Sequence, residues 1–219
     1  MWTIRTKSLG FALAIFTVVT GAVIPSTAVA QQAEARFADS WFWGVRGGAM
    51  SVQTNVQDEF APMAGLEWLI TRERVGLQIA VGQSFFNDVA VVVADELGNP
   101  SEVRLHDYRY ASASLLAFPV QWGGLRPYAG IGVALNVVRS AQPQGMLDAV
   151  TADFVDQSRT VMSAVLTAGA QAQYQNVAIF GEASVLPTKR EFLLNGNEAV
   201  FTLNAGVRFN LGSAIEKMY

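Results

Sequence analysis

Residues 201–211 read Phe201-Thr-Leu-Asn-Ala-Gly-Val-Arg-Phe-Asn-Leu211, and their character changes at every step. Phe201, Leu203, Ala205, Val207, Phe209 and Leu211 make one set; Thr202, Asn204, Gly206, Arg208 and Asn210 make the other. Successive side chains of a β-strand point to opposite faces, so this stretch predicts a strand with one apolar face and one small or polar face. A helix would need apolar residues three and four apart, and the stretch lacks that spacing. The same period runs from Val75 to Phe85, where Val75, Leu77, Ile79 and Val81 alternate with Gly76, Gln78, Ala80, Gly82 and Ser84.

Working outward, eight such segments are expected at 41–52, 63–70, 75–87, 108–120, 127–138, 160–174, 177–186 and 199–211. In the fourth, Ser112 and Ser114 suggest an outward set of Ala111, Ala113 and Leu115. The connections run to about ten, four, twenty, six, twenty, two and twelve residues, so long and short ones alternate, as in outer-membrane barrels with short periplasmic turns and long outer loops. An even strand number places both termini on the periplasmic side. Asp95-Glu-Leu-Gly-Asn-Pro100 is a turn signal between two extended stretches and predicts a hairpin beyond the membrane.

Composition agrees. Charged residues make up only 15% of the 219 and hydrophobic ones 51%, whereas a soluble domain carries about 25% charged residues. Without cysteine, disulfides and thiolate metal sites are excluded. Residues 1–30 have the form of an export signal: Arg5 and Lys7, an apolar run from Leu9 to Ile24, Pro25, and the small-x-small site Ala28-Val-Ala30. Its removal takes the formal charge from −3 to −5, which disfavours a nucleic-acid partner. No later stretch approaches the roughly 20 apolar residues of a membrane helix. The expected layout is a signal peptide at 1–30, a short extension at 31–40, the barrel at 41–211 and a tail at 212–219.

The mature tryptophans give an independent check. Trp41 and Trp43 open the first strand, Trp68 closes the second and Trp122 follows the fourth; Tyr174 and Phe209 share their end of the barrel. Amphipathic rings favour the headgroup level and form such girdles. The opposite rim is assigned Phe85, Phe86, Tyr108, Tyr110 and Phe201. The expected fold is therefore all-β: an eight-stranded antiparallel up-and-down transmembrane β-barrel in contact with outer-membrane lipid and lipopolysaccharide. Alternation alone leaves open which face is outside, and a lipocalin-like soluble barrel would reverse it.

Arg126-Pro-Tyr-Ala-Gly-Ile-Gly-Val-Ala134 and the closing Gly206-Val-Arg-Phe209 resemble the strand patterns of the small eight-stranded outer-membrane barrels of the OmpA/OmpX type. The resemblance spans about 41–211 and implies a barrel delivered by the barrel-assembly machinery, with a late aromatic residue as its signal. Phe209 fills that place, followed by ten further residues, Asn210 to Tyr219. Lipid A deacylases of this fold use a His-x-Ser pair; here His106 is followed at that spacing by Tyr108, so the pair is missing.

The candidate chemistry lies on the small-residue face. Arg46, Glu67, Glu182 and Arg208 sit mid-strand on strands one, two, seven and eight, which become neighbours when the sheet closes. Buried charges must pair, so a lumen network is expected, either as a plug or as a gate for small ions. The long loops hold more carboxylates than cations, without the ligand spacing of a calcium loop. No catalytic constellation, cofactor motif or metal-ligand pattern is assigned. The functional expectation is a non-enzymatic barrel with surface loops in a structural, adhesive or envelope-integrity role; the alternatives are a pore and a lipid-modifying enzyme, and the surface partner is unassigned.

Overall fold

A computed structural model of the chain describes residues 37–53, 58–93, 100–143, 149–187 and 199–213. Eight antiparallel strands form one closed barrel: β1 (Ser40–Gln53), β2 (Asp58–Arg72), β3 (Val75–Val93), β4 (Pro100–Ala117), β5 (Leu125–Pro143), β6 (Thr160–Tyr174), β7 (Val177–Pro187) and β8 (Ala199–Ser213). Each strand pairs with its sequence neighbours, and β1 closes on β8 with Trp43 opposite Phe209 and Val45 opposite Val207. Closure gives every strand a partner on both sides, which is what hydrocarbon demands of a backbone that cannot reach water. The turns β2–β3 and β6–β7 have two residues each, led by Glu73 (φ 46°) and Gln175 (φ 54°). A left-handed first turn residue matches the right-handed twist of the flanking strands.

The direction left open by alternation is decided by burial. The aliphatic set points outward: Leu203 is 48% exposed, Ile79 40%, Ile131 61% and Leu115 66%. The interleaved set of Gln78, Ser84, Ser114, Asn136, Thr167, Glu182, Asn204 and Arg208 is buried inside. A soluble barrel would have the opposite arrangement, because exposing so many large apolar side chains to water is unfavourable. Toward the short turns Trp41, Trp68, Trp122, Tyr174 and Phe209 are all exposed, with Trp43 half-buried opposite both Trp68 and Phe209.

Several boundaries differ from the sequence expectation. β4 runs from Pro100 to Ala117 instead of 108–120; Phe118 to Gln121 follow it without strand pairing. β2, β3 and β5 are longer than expected, because pairing continues past the apolar band where the alternating pattern fades. β3 and β4 stay paired out to Val93 opposite Pro100, forming the expected hairpin, although residues 94–99 of its tip lie outside the described residues, as does the export segment 1–30. The connection after β5 contains a helix, α1 (Ala149–Ser158), that periodicity had not suggested.

The second rim also needs correction. Phe85 and Phe201 are exposed on the outside, but Phe86 and Tyr108 are buried in the lumen and Tyr110 packs against the apolar cluster there. Pairing of β3 with β4 slips between Ser84 and Asn87, and Asp107 opposite the slip takes φ 51°. Two residues of β3 there oppose Asp107 alone, and beyond it the buried positions of β4 change phase from Tyr108 to Leu105 and Val103, while β3 keeps its own with Ser84, Phe86 and Ala90.

The seam between β1 and β8 sets a steric condition. A Cβ at Gly48 would overlap the Leu203 carbonyl oxygen and the Asn204 side chain, whereas one at Gly181 on the outer face would meet nothing within 4 Å. Gly48→Ala is therefore expected to lower the unfolding free energy by about 1–3 kcal/mol and Gly181→Ala to leave it within about 0.5 kcal/mol, read by urea unfolding in micelles.

Candidate functional site

The register of the seam builds a charged belt across the lumen. Gly44 of β1 lies opposite Glu67 of β2 on one side and Arg208 of β8 on the other. Having no side chain, Gly44 leaves the space in which those two meet: a Cβ there would come within 3.1 Å of both their Cγ atoms. Arg208 Nε donates to Glu67 Oε1 in a short contact between fully buried groups. Two residues along β1, Arg46 donates from NH2 to Glu182 Oε1 at 2.7 Å and from NH1 to Glu67 Oε2 at 3.4 Å. The structure thus brings together all four charges picked out in the sequence.

It adds partners that sequence reasoning passed over. Gln78 Nε2 donates to Glu67 Oε2 (3.1 Å) and Glu182 Oε2 (3.0 Å), tying the two carboxylates together. Tyr128 OH donates to Glu182 Oε2 at 3.1 Å, and Arg208 NH1 to Gln171 Oε1 at 2.6 Å. Arg208 also lies over the Phe180 ring, 4.0 Å from its centroid, and faces Tyr128 at 5.5 Å. The signal was present, since Gln78 and Gln171 are the polar members of inward rows, but an uncharged amide among glycines and alanines reads as ordinary lumen lining. Two cations, two carboxylates and neutral bridges give each charge several partners, the condition under which buried ions are tolerated.

Apolar clusters flank the belt. Toward the long loops, Met50, Met63, Phe86, Leu105, Tyr108, Val138, Leu186 and Val200 fill the lumen, and Val155 of α1 packs onto them. Toward the short turns, Phe37, Phe42, Leu69, Leu116, Phe118 and Tyr128 form a second plug. Phe37 stands in the extension ahead of β1, yet it is buried, edge-on to Phe118 (centroids 4.8 Å apart) and beneath the Arg126 guanidinium (4.3 Å). Thr71 fixes this entry: its hydroxyl donates to the Phe37 carbonyl and accepts from Ser40 N at 3.2 Å. The end of the extension is therefore part of the lumen filling. Arg126, in the motif Arg126-Pro-Tyr, is a third buried arginine that the sequence assigned to strand opening alone.

The lumen arrangement can hold strands together, with its carboxylates buried against arginine, glutamine and tyrosine side chains. His106, half-buried, lies on the β3–β4 hairpin opposite Asn87 and Ser140. Among the described residues no three histidine, aspartate or glutamate side chains group as metal ligands. Losing one member of the belt should strand a buried charge, so Glu67→Gln is expected to lower stability by about 3–5 kcal/mol, while Phe37→Ala costs about 3 kcal/mol through the cavity it leaves. Both are measured by urea unfolding in micelles, and in both the unboiled protein still migrates as a folded barrel.

No protein-family model matches the chain, and no curated protein does. Solved structures match it along most of their length. Neisserial surface protein A (NspA) aligns with a TM-score of 0.52 at 12% identity, over 78% of this chain and 97% of its own. OprG from Pseudomonas aeruginosa aligns with a TM-score of 0.48 at 11% identity, covering 80% and 98%. Ail of Yersinia pestis aligns with a TM-score of 0.45 at 13% identity, covering 80% and 99%. With the closed antiparallel sheet, the outward apolar band and the superposition on the neisserial barrel, the chain has the fold of the small eight-stranded outer-membrane barrels.

Proposed function

We propose that the protein is a non-enzymatic integral protein of a bacterial outer membrane, active through the segments that leave the membrane, in a structural, adhesive or envelope-integrity role. In this reading residues 1–30 are removed on export, the barrel-assembly machinery inserts the chain, both termini face the periplasm, and outer-membrane lipid and lipopolysaccharide surround the band. The observation that carries the reading is the filled lumen. Belt and two apolar plugs occupy the interior in sequence, and an eight-stranded barrel is only about wide enough for its own side chains. The long-loop end, in contrast, offers surface. β3 and β4 stay paired beyond the last β2–β3 pair, Met63 opposite Ser84, to Val93, a ribbon of roughly 30 Å at about 3.3 Å per residue. On it Asp107 bonds Gln83 (3.0 Å) and Arg139 (3.3 Å), fixing the ribbon's root to β5.

Complementation tests this assignment. Cells lacking the protein are supplied either with the full chain or with a barrel in which residues 89–104 are replaced by a two-residue turn. The shortened barrel is expected to insert, shown by heat-modifiable migration, yet fail to restore detergent resistance or surface binding. Full restoration would place the activity in the barrel itself. A pore is the competing reading, and planar bilayers separate the two: the refolded chain is expected to give no discrete conductance steps, and regular steps altered by Arg46→Ala would overturn the proposal.

A further inference from the structure

Between the belt and the apolar cluster at the long-loop end lies a cavity of about 30 Å³ accessible to water centres. Its walls carry Arg46 and Glu182 from the belt and Met50, Met63 and Leu186 from the cluster. Among the described residues, four polar atoms of its lining have no hydrogen-bond partner: Arg46 Nε, Tyr110 OH, Asn136 Oδ1 and Asn204 Oδ1. The two asparagines are buried and held from behind. Asn136 Nδ2 donates to Ser163 Oγ at 3.0 Å and Asn204 Nδ2 to Thr202 Oγ1 at 3.2 Å, which leaves their carbonyl oxygens for the cavity. Buried polar atoms are nearly always satisfied, so four around one small space call for a shared partner.

The chemistry of the lining selects that partner. Arg46 Nε offers a proton, the two carbonyl oxygens require one, and the Tyr110 hydroxyl can do either. A cation would be repelled by Arg46, and an anion by Glu182 and the two carbonyl oxygens. An organic solute is too large. Water both donates and accepts, and a polar site of this size suits it. We propose that this cavity is an internal hydration site holding about two ordered waters, which bridge Arg46 of β1 and Asn204 of β8 to Tyr110 of β4 and Asn136 of β5 across the lumen. The bridge supplies what the belt lacks. Among the described residues, direct belt contacts come from β1, β2, β3, β5, β6, β7 and β8, and none from β4. Through Tyr110 the waters bring the remaining strand into the same network.

The test uses the full mature chain refolded in lipid nanodiscs, with ordinary water as the probe, read by magnetisation transfer from water to protein in NMR. Transfer to Arg46 Nε–H and the Tyr110 ring is expected, and it should survive a soluble paramagnetic chelate that quenches exposed groups. No transfer to Arg46 Nε–H would mean a dry cavity and overturn the proposal; quenching by the chelate would mean a solvent column open to the outside and overturn it equally. In the double variant Asn136→Leu, Asn204→Leu the Arg46 signal is expected to be lost while heat-modifiable migration is kept, and an undiminished signal would contradict the placement. Should the variant not fold, the wild-type measurement with and without chelate decides alone.

Discussion

In hydrocarbon no water is available to a strand edge, so the first strand must find the last. That requirement governs the molecule. It brings β1 against β8, fixes their register at Gly44, Gly48 and their partners, and thereby places the charges of β1, β2, β7 and β8 in one row inside the wall. Once the sheet closes, the period of two has a single consistent assignment: Leu203 and Ile79 outside, Asn204 and Gln78 inside. The lumen network follows from closure and is not a separate invention of the sequence. Gly44 shows the dependence clearly, since the Arg208–Glu67 pair spans β1 only because no side chain stands between them.

The narrow interior then decides what the charges can do. Their desolvation is large, and only dense mutual pairing offsets it. Gln78 bridging two carboxylates and Arg208 between Glu67, Gln171 and an aromatic face provide that density. Apolar plugs on both sides lower the local polarity further and make any single loss expensive. The interior is thus committed to its own cohesion.

Much of this was legible in the sequence, for an identifiable reason. Lipid imposes the same demand on every strand, so the pattern recurs eight times, and repetition carried the strand number, the order and the inward position of Arg46, Glu67, Glu182 and Arg208. The failures lie where the demand lapses. Past the headgroup level the outer face no longer needs to be apolar, so the far ends of β3, β4 and β5 lost their signature and were drawn too short. Phe86 and Tyr108 belong to the inward rows by alternation, and assigning them to the rim overrode that period; the phase change beyond Asp107 that buries Leu105 and Val103 lies in no periodic pattern, because one extra residue is invisible to a period count. Phe37 was missed because it precedes the first strand; only three-dimensional closure shows that the mouth of the barrel needs a ring there.

The direction of the two faces is the claim on which the rest stands, and a chain with no cysteine allows it to be measured residue by residue. Single cysteines at positions 75 to 81 of β3, spin-labelled in lipid bilayers, should alternate. Labels at 75, 77, 79 and 81 should collide readily with oxygen dissolved in the acyl phase and little with a water-soluble nickel complex, while those at 76, 78 and 80 should be shielded from the acyl phase. Ready access of the nickel complex to position 79, or oxygen contact without alternation, would contradict the account.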